Sequence, residues 1–330
     1  KKDRPEKPVN KMNDTFEQIQ QVLQNCDTIA IGGHQSPDGD AVGACFAMAY
    51  ALKKQGKRVF VLLEEFAPKY DMIVKKELLL PFEEYTGFAP DAFVALDSGE
   101  KQRLGAAEAV FEKARQKINI DHHASNTYFA AYNYVDSNAS SASEIVYRFL
   151  REFVSLDKEI AAALYAGILY DTAGFRHSST SPFTMTAAAE LMTYPIDANK
   201  IYTAFFDSRS FSELKILAKA FDKAQLYFDK AVIYTALSLE EISQCHGSSK
   251  EVDGVVNFIK GVENVKIACF LYEKAENEIK ASFRCTDGFD VCKLAQCFGG
   301  GGHVKAAGCT IHGSIKQAWE KIYQQLEKLF

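Results

Sequence analysis

Two clusters of acid and imidazole are the part of this sequence best suited to chemistry. His34, Asp38 and Asp40 fall within His34-Gln35-Ser36-Pro37-Asp38-Gly39-Asp40, and Asp121, His122 and His123 are consecutive. A further acid, Asp97, ends the apolar run Ala92-Phe93-Val94-Ala95-Leu96. Another, Asp171, ends Tyr165-Ala166-Gly167-Ile168-Leu169-Tyr170. Carboxylate and imidazole without thiolate form a ligand set for hard or borderline divalent ions such as Mn2+ or Mg2+. The chemistry such a set supports is metal-assisted attack on a phosphate ester.

Each piece has a plainer reading. Pro, Asp and Gly suit turn positions for steric reasons, so Pro37-Asp38-Gly39-Asp40 alone reads equally well as a turn. His34 just upstream, and two acids two residues apart, shift the weight. In a tight loop that spacing directs one carboxylate to each of two neighbouring ions. Asp97 is suited to bridge them, His122 to ligate through its ring, and Asp121 to orient a ring from behind. An ionised Asp171 closing an apolar helix needs a partner or a cation. The alternative is a helix cap completed by Gly174. A metal ligand is preferred because the other acids need one more partner.

These groups need a frame, and the pattern around them supplies one. The runs 28–31, 92–96 and 118–120 read as β-strands that each deliver acids or imidazoles at their C-terminal ends. Strands of that kind place the groups along one edge of a parallel sheet, where open α/β folds bind ligands. A helix over 16–26 precedes the first strand, and a small-residue-rich helix over 41–54 leads to a strand over 58–63. This βαβ rhythm implies a parallel sheet with helices on both faces. A strand over 132–135 then gives way to helices over 143–153 and 158–170. Ser181-Pro182 opens another helix, with Ser as its cap.

Residues 207–229 read as a long helical connector, after which the rhythm restarts. A strand is expected over 231–237 and a helix over 251–260. A hairpin over 265–272 and 278–283 follows, then a helix over 290–297. That helix runs into Phe298-Gly299-Gly300-Gly301-Gly302-His303. Four consecutive glycines elsewhere make flexible linkers. Here they stand between an apolar helix and the compact stretch 306–311, where glycine lets backbone approach closely and N–H groups converge on an anion.

Composition narrows the classes. The chain has 330 residues, 47% hydrophobic and 25% charged, enough for one large domain or two ordinary ones. No apolar run approaches the roughly 20 residues of a membrane-spanning helix. Residues 1–11 are charged, contain Pro5 and Pro8, and read as a disordered leader. The chain begins without methionine, so a boundary or processing event is expected upstream. A net charge of −5 argues against a long grip on duplex nucleic acid. It leaves room for a short nucleotide held by a few placed cations. Eight cysteines without a Cys-x-x-Cys pair suggest reduced thiols in the cytoplasm. Cys285, Cys292, Cys297, His303 and Cys309 crowd together, but their spacing lacks the paired form of a zinc site.

Taken together, the motifs resemble the DHH family of phosphoesterases, named for the triplet found here at 121–123. All four N-terminal motifs of that family have a match, in order, between His34 and Asp171. The run Gly302-His303-Val304-Lys305-Ala306-Ala307-Gly308 resembles the nucleotide-gripping motif of the family's associated C-terminal domain. The resemblance covers nearly the whole chain. It is greatest to compact bacterial oligoribonucleases that also dephosphorylate phosphoadenosine phosphate, the nanoRNase type.

That resemblance implies a two-domain α/β protein with the active site in a cleft. Residues 12–206 would form the metal-binding catalytic domain, 207–229 the connector and 230–330 the substrate-binding domain. His34, Asp38 and Asp97 would hold one ion, and Asp40, Asp97, His122 and Asp171 the other. The ions would be Mn2+ foremost, with Mg2+ or Co2+ as alternatives. His123 would face the phosphate or leaving oxygen, and Asp121 would support it. Arg284, Gly300, Gly301, Gly302 and His303 would hold substrate. Arg176 and His177 read equally well as substrate contacts or loop surface, and His246 and His312 as ordinary packing or surface residues.

The substrate implied is a very short single-stranded RNA, such as a linear dinucleotide, or 3′-phosphoadenosine 5′-phosphate (pAp). No membrane partner is implied, and a second copy of the chain is a candidate partner. Rival readings are a soluble cyclic-dinucleotide phosphodiesterase, an inorganic pyrophosphatase and a nucleotide sensor without turnover. A pyrophosphatase has no need of a glycine-rich nucleotide grip. A sensor would be expected to have lost a ligand, and none of the ligand positions departs from the family pattern.

Overall fold

The computed structural model describes residues 13–330 except 249, 250, 253 and 287. The expected leader, 1–11, lies outside the described residues. The chain divides into two compact units, Lys1–Ser208 and Arg209–Phe330.

In the first unit the elements run α1 (Phe16–Gln24), β1 (Thr28–Gly32), α2 (Gly39–Lys54), β2 (Arg58–Leu62), β3 (Ala92–Leu96), α3 (Glu108–Lys113), β4 (Gln116–Asp121) and β5 (Tyr132–Val135). Then follow α4 (Ala142–Phe153), α5 (Lys158–Asp171), α6 (Pro182–Leu191) and α7 (Ala198–Tyr202). Short 3-10 turns, Pro68–Ile73, Lys76–Leu78, Phe82–Gly87 and Lys101–Ala107, fill the connections around β3. The helices start where capping chemistry allows. Thr15 and Gln18 form a capping box at α1, Asp38 caps α2, and Ser181 caps α6 with Pro182 in its first turn.

The five strands are all parallel, in the order β2-β1-β3-β4-β5. Both faces are covered, which is why the strands are apolar almost throughout. Ile29, Ile31, Val94, Leu96, Ile118 and Ile120 meet one core, built with α2, α4 and α5. Ala30, Leu62, Phe93 and Ala95 meet another, with Leu104, Val110 and Phe111. The strand order reverses between β1 and β3, so the crevice beyond their C-terminal ends is the place for a ligand.

In α2, 14 of 16 residues are buried, so it is a central helix rather than an amphipathic one. It packs closely on α5 because both helices are notched. A Cβ on Gly43 would come 2.6 Å from the Ala163 carbonyl oxygen and 2.9 Å from the Gly167 nitrogen. Asp40 in the first turn of α2 and Asp171 at the end of α5 are thereby brought to the same end of the sheet.

The second unit holds α8 (Phe211–Asp222), β6 (Gln225–Tyr227), β7 (Val232–Leu237), α9 (Leu239–Gln244), α10 (Val255–Ile259), β8 (Ile267–Ala275) and β9 (Glu278–Cys285). It closes with α11 (Val291–Gln296), β10 (Gly301–His303), β11 (Ala306–His312) and α12 (Ile315–Leu326). Its mixed sheet has the order β10-β11-β9-β8-β7-β6. One core packs Cys269, Phe283, Leu294, Cys309 and Ile322, and another packs Ile216, Ile233, Val255 and Phe270. The segment expected as a connector, 207–229, is a helix plus an edge strand. Ile216, Leu217 and Ala220 of that helix are buried in the second unit's own core.

Candidate active site

The loops leaving β1 and β3 flank the crevice at the reversal in strand order. His34 lies two residues past β1 and Asp97 one past β3. Asp97 has φ 52°, in the left-handed region that L residues seldom occupy. Its N–H still donates to the Ile120 carbonyl at 3.2 Å, so the chain turns without losing its hold on the sheet. Strain of this kind persists where the surroundings over-determine it, often at functional sites. The carboxylate is buried, and each oxygen faces a different imidazole. His122 Nε2 stands 3.3 Å from Oδ1, and His34 Nε2 stands 3.4 Å from Oδ2.

Backbone contacts hold the other acids. Asp38 caps α2: its Oδ1 accepts from the N–H groups of Asp40 and Ala41 at 2.9 and 3.1 Å. Asp40 is fully buried and accepts from Ala142 N–H at 2.6 Å and Ser143 N–H at 2.9 Å, in the first turn of α4. A carboxylate at a helix N-terminus meets unsatisfied N–H groups and a favourable dipole. His122 Nε2 is 3.6 Å from Asp171 Oδ2 and 4.0 Å from Asp40 Oδ2.

Ligand-capable atoms within 4.8 Å of one another thus form three overlapping groups: His34 with Asp38 and Asp97, Asp40 with His122 and Asp171, and Asp97 with His122 and His123. Divalent ions fit this set. Asp97 Oδ1 is buried without a hydrogen-bond partner, and four carboxylates converge where only imidazoles balance them. A buried anion left so needs a cation.

The imidazoles are aimed from behind. His34 Nδ1 donates to the Gln35 carbonyl at 2.8 Å, which leaves Nε2 for the acids. His123 Nδ1 bonds to Asp121 Oδ1 at 2.8 Å. The other oxygen of Asp121 accepts from Asn126 at 2.6 Å, and Asn126 also donates to Asn119 Oδ1 at 2.8 Å. Asn119 in turn donates to the Ala95 and Ser98 carbonyls. Sequence reading missed both asparagines. The available signal was Asn119 itself, a polar residue between Ile118 and Ile120 in the buried part of its strand.

These surroundings set the charges. Burial alone would lower the His34 and His122 pKa values, but facing carboxylates outweigh it and push each up to about 10. Burial raises the Asp171 carboxyl to about 6, helped by Asp97 and Asp38 and opposed by His122 and His123. Asp40 is raised by burial and by the charges of Asp97 and Asp171. Asp97 goes the other way: burial opposes ionisation, yet His122 and His34 hold it well below the usual carboxylate range. The Asp121 bond raises His123 against a smaller opposing effect of burial, which favours a protonated ring that can donate.

After Asp171 the helix unwinds through Ala173, Gly174 and Phe175, all with positive φ. His177 Nδ1 donates to the Asp171 carbonyl at 3.1 Å, and Arg176 Nε to the Ala173 carbonyl at 3.0 Å. Both lie in the loop beside the cluster.

In the second unit the glycine run forms an edge hairpin. Gly301, Gly302 and His303 pair with Gly308, Ala307 and Ala306. A Cβ on Gly300 would meet the Gly308 oxygen at 2.3 Å, and one on Gly302 the Ala306 oxygen at 2.5 Å. The close approach expected of this run is therefore to its own neighbouring strand at those two positions. A Cβ on Gly301 meets nothing within 4 Å. Ala306 also pairs with Arg284 on β9, so His303, Ala306 and Arg284 lie in register on one face. Arg284 Nε donates to Asn257 at 3.0 Å. Ala306, the small residue between Arg284 and His303, leaves a shelf there, and the Cys292 thiol donates to the Gly302 carbonyl.

Similarity to known proteins agrees with this division. Residues 28–168 match the model of the DHH family, N-terminal domain, and residues 229–330 match the DHHA1 domain. The bifunctional oligoribonuclease and PAP phosphatase NrnA of Thermus thermophilus is 31% identical over 91% of this chain and 89% of that protein. An exopolyphosphatase-related protein from Bacteroides fragilis superposes with TM-score 0.87 and 28% identity, covering 95% of each chain. RecJ from Thermus thermophilus, solved with Mn2+, shares the fold at TM-score 0.56 and 13% identity, over 96% of this chain and 54% of that one.

Proposed function

This chain belongs to the DHH family, and we propose that it hydrolyses very short single-stranded RNA and pAp with two divalent ions held by His34, Asp38, Asp40, Asp97, His122 and Asp171. The observation that carries this reading is Asp97, a buried carboxylate with an imidazole opposite each oxygen and one oxygen unbonded. A carboxylate so placed would be shared by two ions, one on the His34 side and one on the His122 side. Manganese is the preferred ion on the donor set, which mixes imidazole with carboxylate. When bound, such ions lower the pKa of an attacking water and neutralise charge on the phosphate.

The chain's own residues supply the rest. His34 and Asp38 hold one side of the cluster, and Asp40, His122 and Asp171 hold the other, with Asp97 shared. His123, held by Asp121 and favoured in its protonated form, donates to the phosphate or leaving oxygen. Asn126 and Asn119 lock Asp121 in that role. In the second unit Arg284 and His303 grip the nucleotide across the small-residue shelf of Gly301 and Ala306. No helix among the described residues is long and apolar enough to cross a membrane. The thiols are all unpaired, which suits a reducing cytoplasm. A second copy of the chain remains the candidate protein partner.

Product analysis with purified protein and Mn2+ on pApA, short RNAs, pAp, c-di-AMP and pyrophosphate tests the reading. Mononucleotides from pApA and AMP from pAp are expected. Turnover confined to c-di-AMP or pyrophosphate would replace it with a rival, and binding without turnover of any of them would make the protein a sensor.

A further inference from the structure

A second cavity opens at the same sheet edge, one strand away from the cluster. It has a volume of about 260 Å3 and lies between the end of β2 and the 3-10 turns Phe82–Gly87 and Lys101–Ala107. Its floor is Leu62 and Leu104, both buried in the core beneath. One wall is His34, the same residue whose Nε2 faces Asp38 and Asp97. Phe82 also lines it and leaves 65% of its surface in solvent, with its ring 5.4 Å from that of Tyr85.

Two carboxylates complete the rim. Glu64 is fixed by the Ser36 N–H at 3.0 Å. Glu65 is exposed and makes no hydrogen bond or ion pair among the described residues. No lysine or arginine lines the cavity, and its one basic group, His34, turns its Nε2 to Asp38 and Asp97, so the cavity is not a second phosphate site. Acids beside an anionic substrate repel it unless they meet hydrogen-bond donors.

We propose that this cavity is a nucleobase subsite, in which Phe82 supplies the stacking face and Glu65 the acceptor that favours bases bearing an exocyclic amino group, guanine above all. The proposal rests on the phosphoesterase reading for the phosphate beside His34. The volume suits one base and falls below the range usual for larger ligands. Stacking on an aromatic ring accepts every base, so Phe82 provides affinity without choice. Choice comes from Glu65, since a carboxylate only accepts. Guanine presents N1–H and an amino group side by side, a match for both carboxylate oxygens. Adenine and cytosine offer one amino group. Uracil has none, and its single N–H lies between two carbonyl oxygens that repel the acid.

The test uses the full chain with Mn2+, titrated calorimetrically with GMP, AMP, CMP and UMP, beside steady-state hydrolysis of pGpG and pUpU. GMP is expected to bind about tenfold tighter than UMP or more, and KM for pGpG to be lower in proportion. Glu65→Gln should weaken GMP until the two lie within about threefold, with UMP little changed. Phe82→Ala should weaken all four, and Phe82→Trp should restore them. Both side chains are exposed, so the fold should tolerate these changes. Equal affinities in the wild type, or GMP binding unmoved by both Glu65→Gln and Phe82→Ala, would overturn the subsite. Hydrolysis of dinucleotides with no base dependence overturns it while leaving the phosphoesterase reading intact. Base-dependent binding governed by Glu65, with no hydrolysis of any dinucleotide, does the reverse.

Discussion

Asp97 differs from the other five candidate ligands because both of its oxygens face an imidazole. Asp38 already spends one oxygen on capping α2. Asp97→Ala should therefore lower turnover of pApA by more than about a hundredfold, beyond what removing a group that only orients a ligand costs. Asp38→Ala should do less to bound metal and also lose a helix cap, about 1 kcal/mol of stability. Turnover, metal content and thermal midpoint of both variants check this, and an Asp97→Ala protein with two ions and near-native rate would remove the bridge.

The same residues predict a proton count. An imidazole must be neutral to ligate, yet His34 and His122 are pushed up to about 10 without metal. At pH 7 both are then protonated, and metal binding must expel those protons. Apparent affinity for Mn2+ should rise with pH from 6 toward 9 and weaken further below the Asp171 pKa of about 6. Calorimetry in buffers of different ionisation enthalpy should show at least about two protons released per chain near pH 7, with any Asp40 proton adding to them. A buffer-independent heat would contradict the assignment. His34, Asp38, Asp40, Asp97, His122 and Asp171 were legible in sequence because each ends or follows an element with a clear period. Asn119 and Asn126 were not, since an asparagine in a strand or turn carries no mark of the partner that folding brings to it.

Among the elements, α2 and α5 matter most to the site because they carry Asp40 and Asp171. Their backbones come close at Gly43, where a methyl group would press on the backbone of Ala163 and Gly167. Overpacking of this kind typically costs about 1–3 kcal/mol. Gly43→Ala should therefore lower the thermal midpoint and weaken Mn2+ binding together, since Asp40 sits one turn away on the same helix. An unchanged midpoint with unchanged metal affinity would mean the helices have room to spare. The strands and long helices were readable from period and capping signals. The glycine run was not, because four glycines fit a linker, an anion cradle or the edge hairpin in which Gly300 and Gly302 press against β11. Residues 207–229 were legible only in part, for a related reason. Their helical period gave α8 but did not reveal that its apolar side closes the second unit's core.

For the whole molecule, the proposed function divides two tasks between the two units: ions to the first and the nucleotide to the second. His303→Ala should cripple pApA hydrolysis while bis-(p-nitrophenyl) phosphate, with no remote nucleotide to grip, is cleaved at a comparable rate. Equal losses on both substrates, with the fold intact by circular dichroism, would place His303 in the catalytic centre. The central claim is that hydrolysis depends on ions held by the six-residue cluster. It is tested most directly by following pApA turnover as Mn2+ is added back to chelator-treated protein, with bound metal measured at each point. The account predicts no turnover in the stripped protein, and a rate that climbs to its maximum as occupancy reaches two ions per chain. Full turnover in excess EDTA, with metal content verified as negligible, would contradict it.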